Sequence, residues 1–419
     1  MIDLNALREN PKEIGKRIKQ KDPDFAVQKL LELDKNVREI RLQIEELRHT
    51  KNELAQKAKS GITPEIRNES IAIGKLLKEK EQELQIIETA FQDLYFSCPN
   101  IPAKDIPVGD KTVNTVIRKW KEKQEFGFPV KNHLELGEQN NWLDFDAAVK
   151  TTGSQFALYK GDMVKLLYSL ATFMFKHNIQ QGYEPILPPY LVNQESLFVT
   201  GNFPKFKDDV YAIQEENLYL TPTAEVNLAN MFRGHIFQKK ELPVRTTAWT
   251  SCFRKEAGGY GATERGLIRI HQFEKVELFI LCLPEQVNQE QEKMLSCAES
   301  ILQALGLHYR VSLLATQDCS FASAKTFDLE VWLPGQNQYY EVSSISNCTD
   351  FQARRGLIRF KETEGSKPQL VYTLNGSSVA LSRLMVALLE VYQQKDGSVF
   401  IPQVLQEQGF FKKGQKYLQ

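Results

Sequence analysis

The stretch "CFRKEAGGYGATERGLIRIHQFEKVE", residues 252–277, decides how the rest of the chain is read. Side chains alternate across a strand, so if residues 251–256 are extended, Cys252, Arg254 and Glu256 share one face. The same rule groups Arg269, His271, Phe273, Lys275 and Glu277. Between the two runs lies "AGGYGATERG", glycine-rich enough for a mobile loop joining antiparallel strands. One face of this hairpin is then heavily charged and holds a single phenylalanine. Two readings stay open: a solvated sheet face, against which the flanking core-like "LFILCL" argues, or a polar floor for an anionic ligand. In the second, an arginine forks onto phosphate and Phe273 stacks on a base.

Strand and helix patterns are interspersed around this hairpin. "TFDLEVWL" and "QYYEVSS" alternate, whereas "GDMVKLLYSLATFMFKHN" has the helical period, and the short connections favour an antiparallel sheet in an α+β fold over a doubly wound parallel one. Neither G-x-G-x-x-G nor G-x-x-x-x-G-K-[ST] occurs, so a nucleotide site here is not of Rossmann or P-loop type. "YYEVSS" offers Glu341 and two hydroxyls at a strand end, which is either ordinary or a set of hard oxygens for Mg²⁺. "TLNGSSVALSRLMVALLEVYQQ" predicts a turn at Asn375–Gly376, then a helix with Ala380, Leu384, Leu388 and Val391 on one stripe and Arg383 near its start.

The first hundred residues differ in texture. Leu30, Leu33, Val37, Ile40, Ile44, Leu47, Leu54 and Ala58 form a heptad seam that skips a beat at Lys51. After "SGITPE" a second seam runs through Ile73, Leu77, Leu84, Ile87, Phe91 and Leu94, with Lys80 at the skipped beat. The pair should fold back as an antiparallel arm projecting roughly 45 Å. Residues 48–80, nearest the tip, hold eight basic and four acidic residues; the base holds four basic and nine acidic. That asymmetry fits either a solvated coiled coil or an arm whose tip meets phosphates. "CPNIPAKDIPVGDK" then reads as a linker around residues 98–112.

Over 419 residues, 53 basic and 53 acidic side chains cancel, so no overall attraction to nucleic acid or membrane is implied. No apolar run approaches a membrane span and the N-terminal segment lacks a signal-like core, which predicts a cytoplasmic protein. The six scattered cysteines suggest neither a zinc site nor a disulfide framework.

Together these segments resemble the seryl-tRNA synthetases, class II aminoacyl-tRNA synthetases. The likeness runs through "IDLNALRENP", "PNIP", "HLELGEQ", "LPPY", "TGNFPKF", "TPTAEV", "CFRKEAG", "RGLIRIHQFEKVE", "YYEVSSISNCTDFQARR" and "TLNGS", nearly the whole chain. It implies a class II antiparallel sheet flanked by helices, preceded by a helical coiled-coil arm. Residues 1–105 would be a tRNA-binding domain with its arm at about 28–97, and residues 106–419 the catalytic domain with its linker. It further implies a homodimer with an interface around Pro189, and serine tRNA gripped by its long variable arm through tip residues such as Lys57, Lys59 and Arg67. Selenocysteine tRNA is allowed as a second acceptor.

By motif match, Arg254 would hold the ATP α-phosphate and the serine carboxylate, Glu256 the adenine amino group and Phe273 the adenine ring. Arg383 would hold the γ-phosphate end, with Arg254 and Arg383 the catalytic pair. Lys255, Val342 and Ser343 would complete the ATP contacts, Glu341 and Ser344 would bind Mg²⁺, and Thr223, Ala224, Glu225, Glu277 and Ser377 would line the L-serine pocket. A non-catalytic relative would be expected to lack Arg254, Glu277 or Glu341, and all three are present. The chain departs from the family pattern at Ser378 and Ser382, where glycines are usual and crowding of the phosphate site is expected. It departs also in the loop before Arg265, at Val199, and in "IPQVLQEQ".

Overall fold

The computed structural model describes residues 1–59, 61–256 and 266–418. The mobile loop expected between the two charged runs, with its departure before Arg265, falls on residues 257–265 and lies outside the described residues. The chain divides into two compact units, Asp3–Pro99 and a larger one of residues 1–2 with Asn100–Gln419. Among the described residues no helix is long and apolar enough to cross a membrane, and all six cysteines are buried and free.

The smaller unit is dominated by α1 (Val27–Ala58) and α2 (Pro64–Phe96). On α1 the heptad positions Leu30, Leu33, Val37, Ile40, Ile44 and Leu54 are buried, and Lys51 at the skipped beat is exposed. At 32 residues α1 is about 48 Å long. Helix α2 starts where Thr63 accepts from the Ile66 N–H at 3.3 Å and Pro64 takes the first turn, whose N–H groups have no helical partner. Lys57, Lys59 and Arg67 are exposed and form no ion pair among the described residues.

One residue breaks the heptad logic. Asp34 is buried on α1, where it accepts from Arg8 Nε at 2.8 Å and Nη2 at 2.5 Å and from Arg38 Nε at 3.2 Å. Burial alone would raise its carboxyl, but the Arg8 bonds and the two guanidinium charges hold it below the ordinary range.

The larger unit is built on an eight-stranded sheet: β1 (Thr115–Trp120), β2 (Glu184–Ile186), β3 (Val244–Phe253), β4 (Gln272–Cys282), β5 (Tyr309–Leu313), β6 (Lys325–Leu333), β7 (Gln338–Thr349) and β8 (Tyr372–Ala380). Their spatial order is β1-β5-β6-β7-β8-β4-β3-β2, antiparallel at every step except β2 against β3. Three helices, α3 (Asp162–Gln180), α4 (Val287–Ala304) and α5 (Leu381–Tyr392), cover one face. Met163, Leu166 and Met174 of α3, Met294 and Ile301 of α4, and Leu384 and Leu388 of α5 pack there on Val276, Leu278, Ile280, Val342, Ile345 and Val379. Each such side chain contributes roughly 1.5–3 kcal/mol, so this face is committed to hydrocarbon. The polar residues are left for the other face.

The turn expected at Asn375–Gly376 does not form: both residues lie inside β8, pairing with Phe279 and Leu278 of β4. A side chain at Gly376 would stand 2.4 Å from Ile345 Cδ1, so glycine is there for strand packing, not for a turn. Likewise β7 does not end at Glu341 but runs on to Thr349.

Replacing Asp34 by alanine should destabilise the smaller unit by about 2 kcal/mol, less than for a fully buried ion pair because Arg8 can rehydrate. Faster hydrogen exchange of α1 amides in the full-length protein is the readout; unchanged protection would refute it. Because the folded carboxyl is depressed, this contribution is present above pH 3.8 and fades as pH falls below it.

Candidate active site

Strand alternation places Phe273, Lys275 and Glu277 of β4 on the open face, opposite Cys252, Thr250 and Ala248 of β3. Arg269 and His271 do not join them, because β4 begins only at Gln272. A 3₁₀ turn at Gly266–Ile268 and the positive φ of Glu256, 51°, end the regular ladder. His271 keeps one rung, accepting from the Arg254 N–H at 2.9 Å, while Arg269 pairs with Glu256 at 2.6 Å. Arg254 and Glu256 therefore lie just beyond β3, which stops at Phe253.

Two bulges complete the floor. Glu341 pairs with Glu330, yet Ser344, three residues on, pairs with Asp328, because Val342 and Ser343 together face Leu329. Without that extra residue Glu341 and Ser344 would point to opposite faces. The side chains of Val342 and Ser343 are buried on the helix side, so only their main chain can line the cleft. A second bulge at Ser378 lets Ser377 sit opposite Glu277 and Ala380 opposite Lys275. The crowding expected of Ser378 does not arise: its hydroxyl is buried and donates to Asn178 Oδ1 of α3 at 3.0 Å. Ser382, by contrast, does line the cleft beside Arg383. Val199 is buried where a side chain on Gly356 would meet it.

Two adjoining hollows share Arg254, Glu256 and Arg269. In the first, Arg383 lies on the first turn of α5 and donates from Nη1 to the Glu341 carbonyl at 2.8 Å and to its carboxylate at 3.0 Å. The Arg254 guanidinium is 5.2 Å from the Phe273 ring centroid and donates from Nε to the Pro222 carbonyl at 3.1 Å. Lys255 is exposed at the rim. In the second, the Thr223 hydroxyl donates to Glu277 Oε2 at 2.9 Å and accepts from Lys275 Nζ at 2.7 Å; Lys275, which lines the first hollow, also pairs with Glu277. Glu225 accepts from Gln352 Nε2 at 2.6 Å, and Ala224 is packed beneath, wholly buried.

Neither Lys275 nor Gln352 was assigned a role from sequence. The position of Lys275 between Phe273 and Glu277 was a usable signal, since all three share a face. Gln352 had none, because Glu225 lies 127 residues away.

Burial, with the nearby charge of Glu277, pushes the Glu225 carboxyl up to about 7 against the pull of Gln352, Lys275 and Arg254. Across the sheet, burial and the charge of Glu341 raise Asp328 well above the ordinary range. Its Oδ1 is buried without a hydrogen-bond partner among the described residues. Glu341 and Ser344 supply hard oxygens on one face, but no group of three His, Cys, Asp or Glu residues forms a metal cage among the described residues. Such a pair suits Mg²⁺ held jointly with substrate oxygens.

Comparison with known proteins matches the seryl-tRNA synthetase N-terminal domain to residues 1–102 and the tRNA synthetase class II core domain (G, H, P, S and T) to residues 206–392. The chain is 45% identical over 413 residues to the serine–tRNA ligases of Syntrophobacter fumaroxidans and Chlamydia felis, covering 97% of each sequence and 97% of this chain. A crystal structure of seryl-tRNA synthetase from Pyrococcus horikoshii, complexed with ATP, superposes with a TM-score of 0.92 at 34% identity, covering 100% of this chain and 99% of that one.

A carboxyl raised to about 7 in the fold is favoured while protonated, so its contribution to stability is full below pH 4.5 and is lost as pH rises through about 7. The loss should be about 3 kcal/mol. Urea unfolding between pH 4 and 8 should show it for the parent protein and much less of it for Glu225→Gln, which keeps an acceptor for Gln352. Equal pH slopes in both would refute the assignment.

Proposed function

We propose that this chain, which belongs to the seryl-tRNA synthetase family of class II aminoacyl-tRNA synthetases, is a serine–tRNA ligase working through the cleft around Arg254. It activates L-serine with ATP and passes the seryl group to the 3′ end of serine tRNA, with selenocysteine tRNA a second acceptor to be tested in the same assay. The observation that carries the reading is the junction of the two hollows at Arg254, one edged by Phe273 and a second arginine, Arg383, the other by Thr223 and Glu225.

Serine fits the hollow beside Thr223 and Glu225 group by group. Its ammonium faces Glu225, its hydroxyl the Glu277–Thr223–Lys275 cluster, and its carboxylate points toward Arg254. ATP fits the other, its adenine on Phe273 with the amino group toward Glu256, its α-phosphate at Arg254 and its γ-phosphate at Arg383. Glu256 and Glu341 then exchange their present partners, Arg269 and Arg383, for ligand groups. Glu341 and Ser344 would hold Mg²⁺, which when bound neutralises phosphate charge.

A serine carboxylate oxygen attacks the α-phosphorus and the bond to the bridging oxygen of pyrophosphate breaks. A terminal ribose hydroxyl of the tRNA then attacks the seryl carbonyl and releases AMP. No side chain need act as nucleophile; Arg254 aligns two anions and stabilises charge that grows at the α-phosphate. Discrimination against alanine follows from Glu277, Thr223 and Lys275, a polar cluster that can hydrogen-bond a substrate hydroxyl and gains nothing from a methyl group.

Lys57, Lys59 and Arg67, exposed and without an ion pair among the described residues, support the arm as the element that meets tRNA phosphates. A homodimer is supported by a patch of exposed apolar side chains around Pro189, with Leu187 84% exposed beside Tyr190, Leu191 and Tyr168.

ATP–pyrophosphate exchange with each amino acid in turn tests the function: exchange with serine alone is expected, and none with serine would overturn it. Arg254→Ala should slow exchange by about 3 kcal/mol in activation; a near-normal rate would remove Arg254 from the chemistry. Deleting residues 48–80 should leave exchange intact and abolish aminoacylation of tRNA, and unaltered tRNA charging would exclude the arm.

A further inference from the structure

Described structure resumes at Gly266, and the next three residues set one edge of the cleft. The Leu267 N–H donates to His133 Nε2 at 3.3 Å. The Ile268 carbonyl accepts from Arg383 Nε at 3.2 Å, and Arg269 pairs with Glu256 at 2.6 Å. Whatever fixes Leu267 therefore fixes the backbone against which Arg383 and Arg269 are aimed.

His133 opens a short helix, His133–Gln139, and is only 2% exposed. Because Nε2 accepts the Leu267 N–H, the ring proton sits on Nδ1, which faces Glu390 Oε1 at 3.3 Å. Glu390 is wholly buried on α5 and is satisfied by three further donors: the N–H of His133 at 3.2 Å, the N–H of Gly335 at 2.9 Å and Gln336 Nε2 at 3.2 Å. It follows Arg383 by two helical turns, so one helix carries both the anchor of the imidazole and an arginine of the cleft.

A second observation, independent of hydrogen bonding, puts the hinge directly on the imidazole. Gly266 has φ +70°, and a side chain there would stand 2.3 Å from His133 Nε2 and 2.6 Å from Leu134 Cδ2. Only glycine lets the backbone approach that closely. An apolar pair would fill the His133–Glu390 space with less desolvation, but it would offer no acceptor to Leu267.

We propose that His133, oriented by Glu390, is a positioning residue for the nucleotide site: it clamps the backbone at Gly266–Ile268 and thereby sets Arg383. The clamp rests on the reading that Arg383 belongs to the ATP hollow. Arg383 lines only that hollow, whereas Arg254, Glu256 and Arg269 line both, so the effect falls chiefly on ATP.

The test compares His133→Leu, His133→Gln and Gly266→Ala with the parent in the full chain. The measurements are calorimetric binding of ATP and, separately, of serine, with hydrogen exchange over residues 266–270. In His133→Leu the ATP Kd should rise about tenfold, the effect of one lost hydrogen bond. Serine affinity should change much less than ATP affinity, and the Leu267 amide should exchange faster. His133→Gln, whose amide oxygen can take the Leu267 N–H, should recover most of the ATP affinity. Gly266→Ala keeps the imidazole but displaces the hinge, so it should also weaken ATP, and it decides the matter if His133→Leu does not fold. Parent-like ATP binding in either His133→Leu or Gly266→Ala, or serine affinity falling in step with ATP, overturns the proposal. A parent protein that binds no ATP overturns the nucleotide reading, and the clamp's role with it, before any variant is considered.

Discussion

Strand alternation in β4, β7 and β8 is the constraint on which the larger unit depends. Three helices bury one face of these strands in hydrocarbon, and a period of two sends every other residue to the opposite face. Lys275 and Glu277 can be charged only because Val276 and Leu278 carry the packing between and beside them. Beyond Glu277 the open face closes again, since Phe279 and Leu281 pack with Ala224 and Leu228 of the short helix after Thr223. The cleft is thus a polar interval bounded by apolar contacts on the same strand.

A strict period of two would supply too few groups. The bulges at Val342–Ser343 and Ser378 each insert one residue on the helix side and so return Ser344 and Ala380 to the cleft. The inserted residues are not idle: Ser343 donates to the Ser377 carbonyl and Ser378 to Asn178, so both extra hydroxyls are satisfied in the interior. A serine where glycine is usual is accommodated because its side chain leaves the cleft altogether.

What could be read from sequence was what short-range periodicity encodes. The heptad seams of α1 and α2 and the stripe of α5 needed only neighbours three or four residues apart. The antiparallel sheet likewise followed from alternation and short connections. Asn375–Gly376 was misread because the dipeptide favours turns locally, whereas Ile345, on the neighbouring strand, requires a glycine at 376. Glu341 and the two hydroxyls of "YYEVSS" were grouped by proximity, but only the family resemblance singled out Ser344, because alternation by itself puts it on the other face. Asp34, Lys275, Gln352 and His133 were missed as partners for one reason: each is satisfied by a residue on another element, and no local pattern records that.

Electrostatics explains why those unread residues matter. Glu277 and Glu225 lie close enough for the charge of one to raise the carboxyl of the other, in surroundings that exclude much of the water. Lys275 offsets this repulsion, but it is shared with the Thr223 hydroxyl and paired directly with Glu277 alone. Arg254 pulls the Glu225 carboxyl down as well, yet burial outweighs both cations and leaves it raised to about 7. Glu225 is thus the group of the cluster that responds to added charge: a cation placed beside it would lower the carboxyl and displace its proton. Burial, more than the charge count, makes this corner of the cleft favour a ligand that brings its own positive charge.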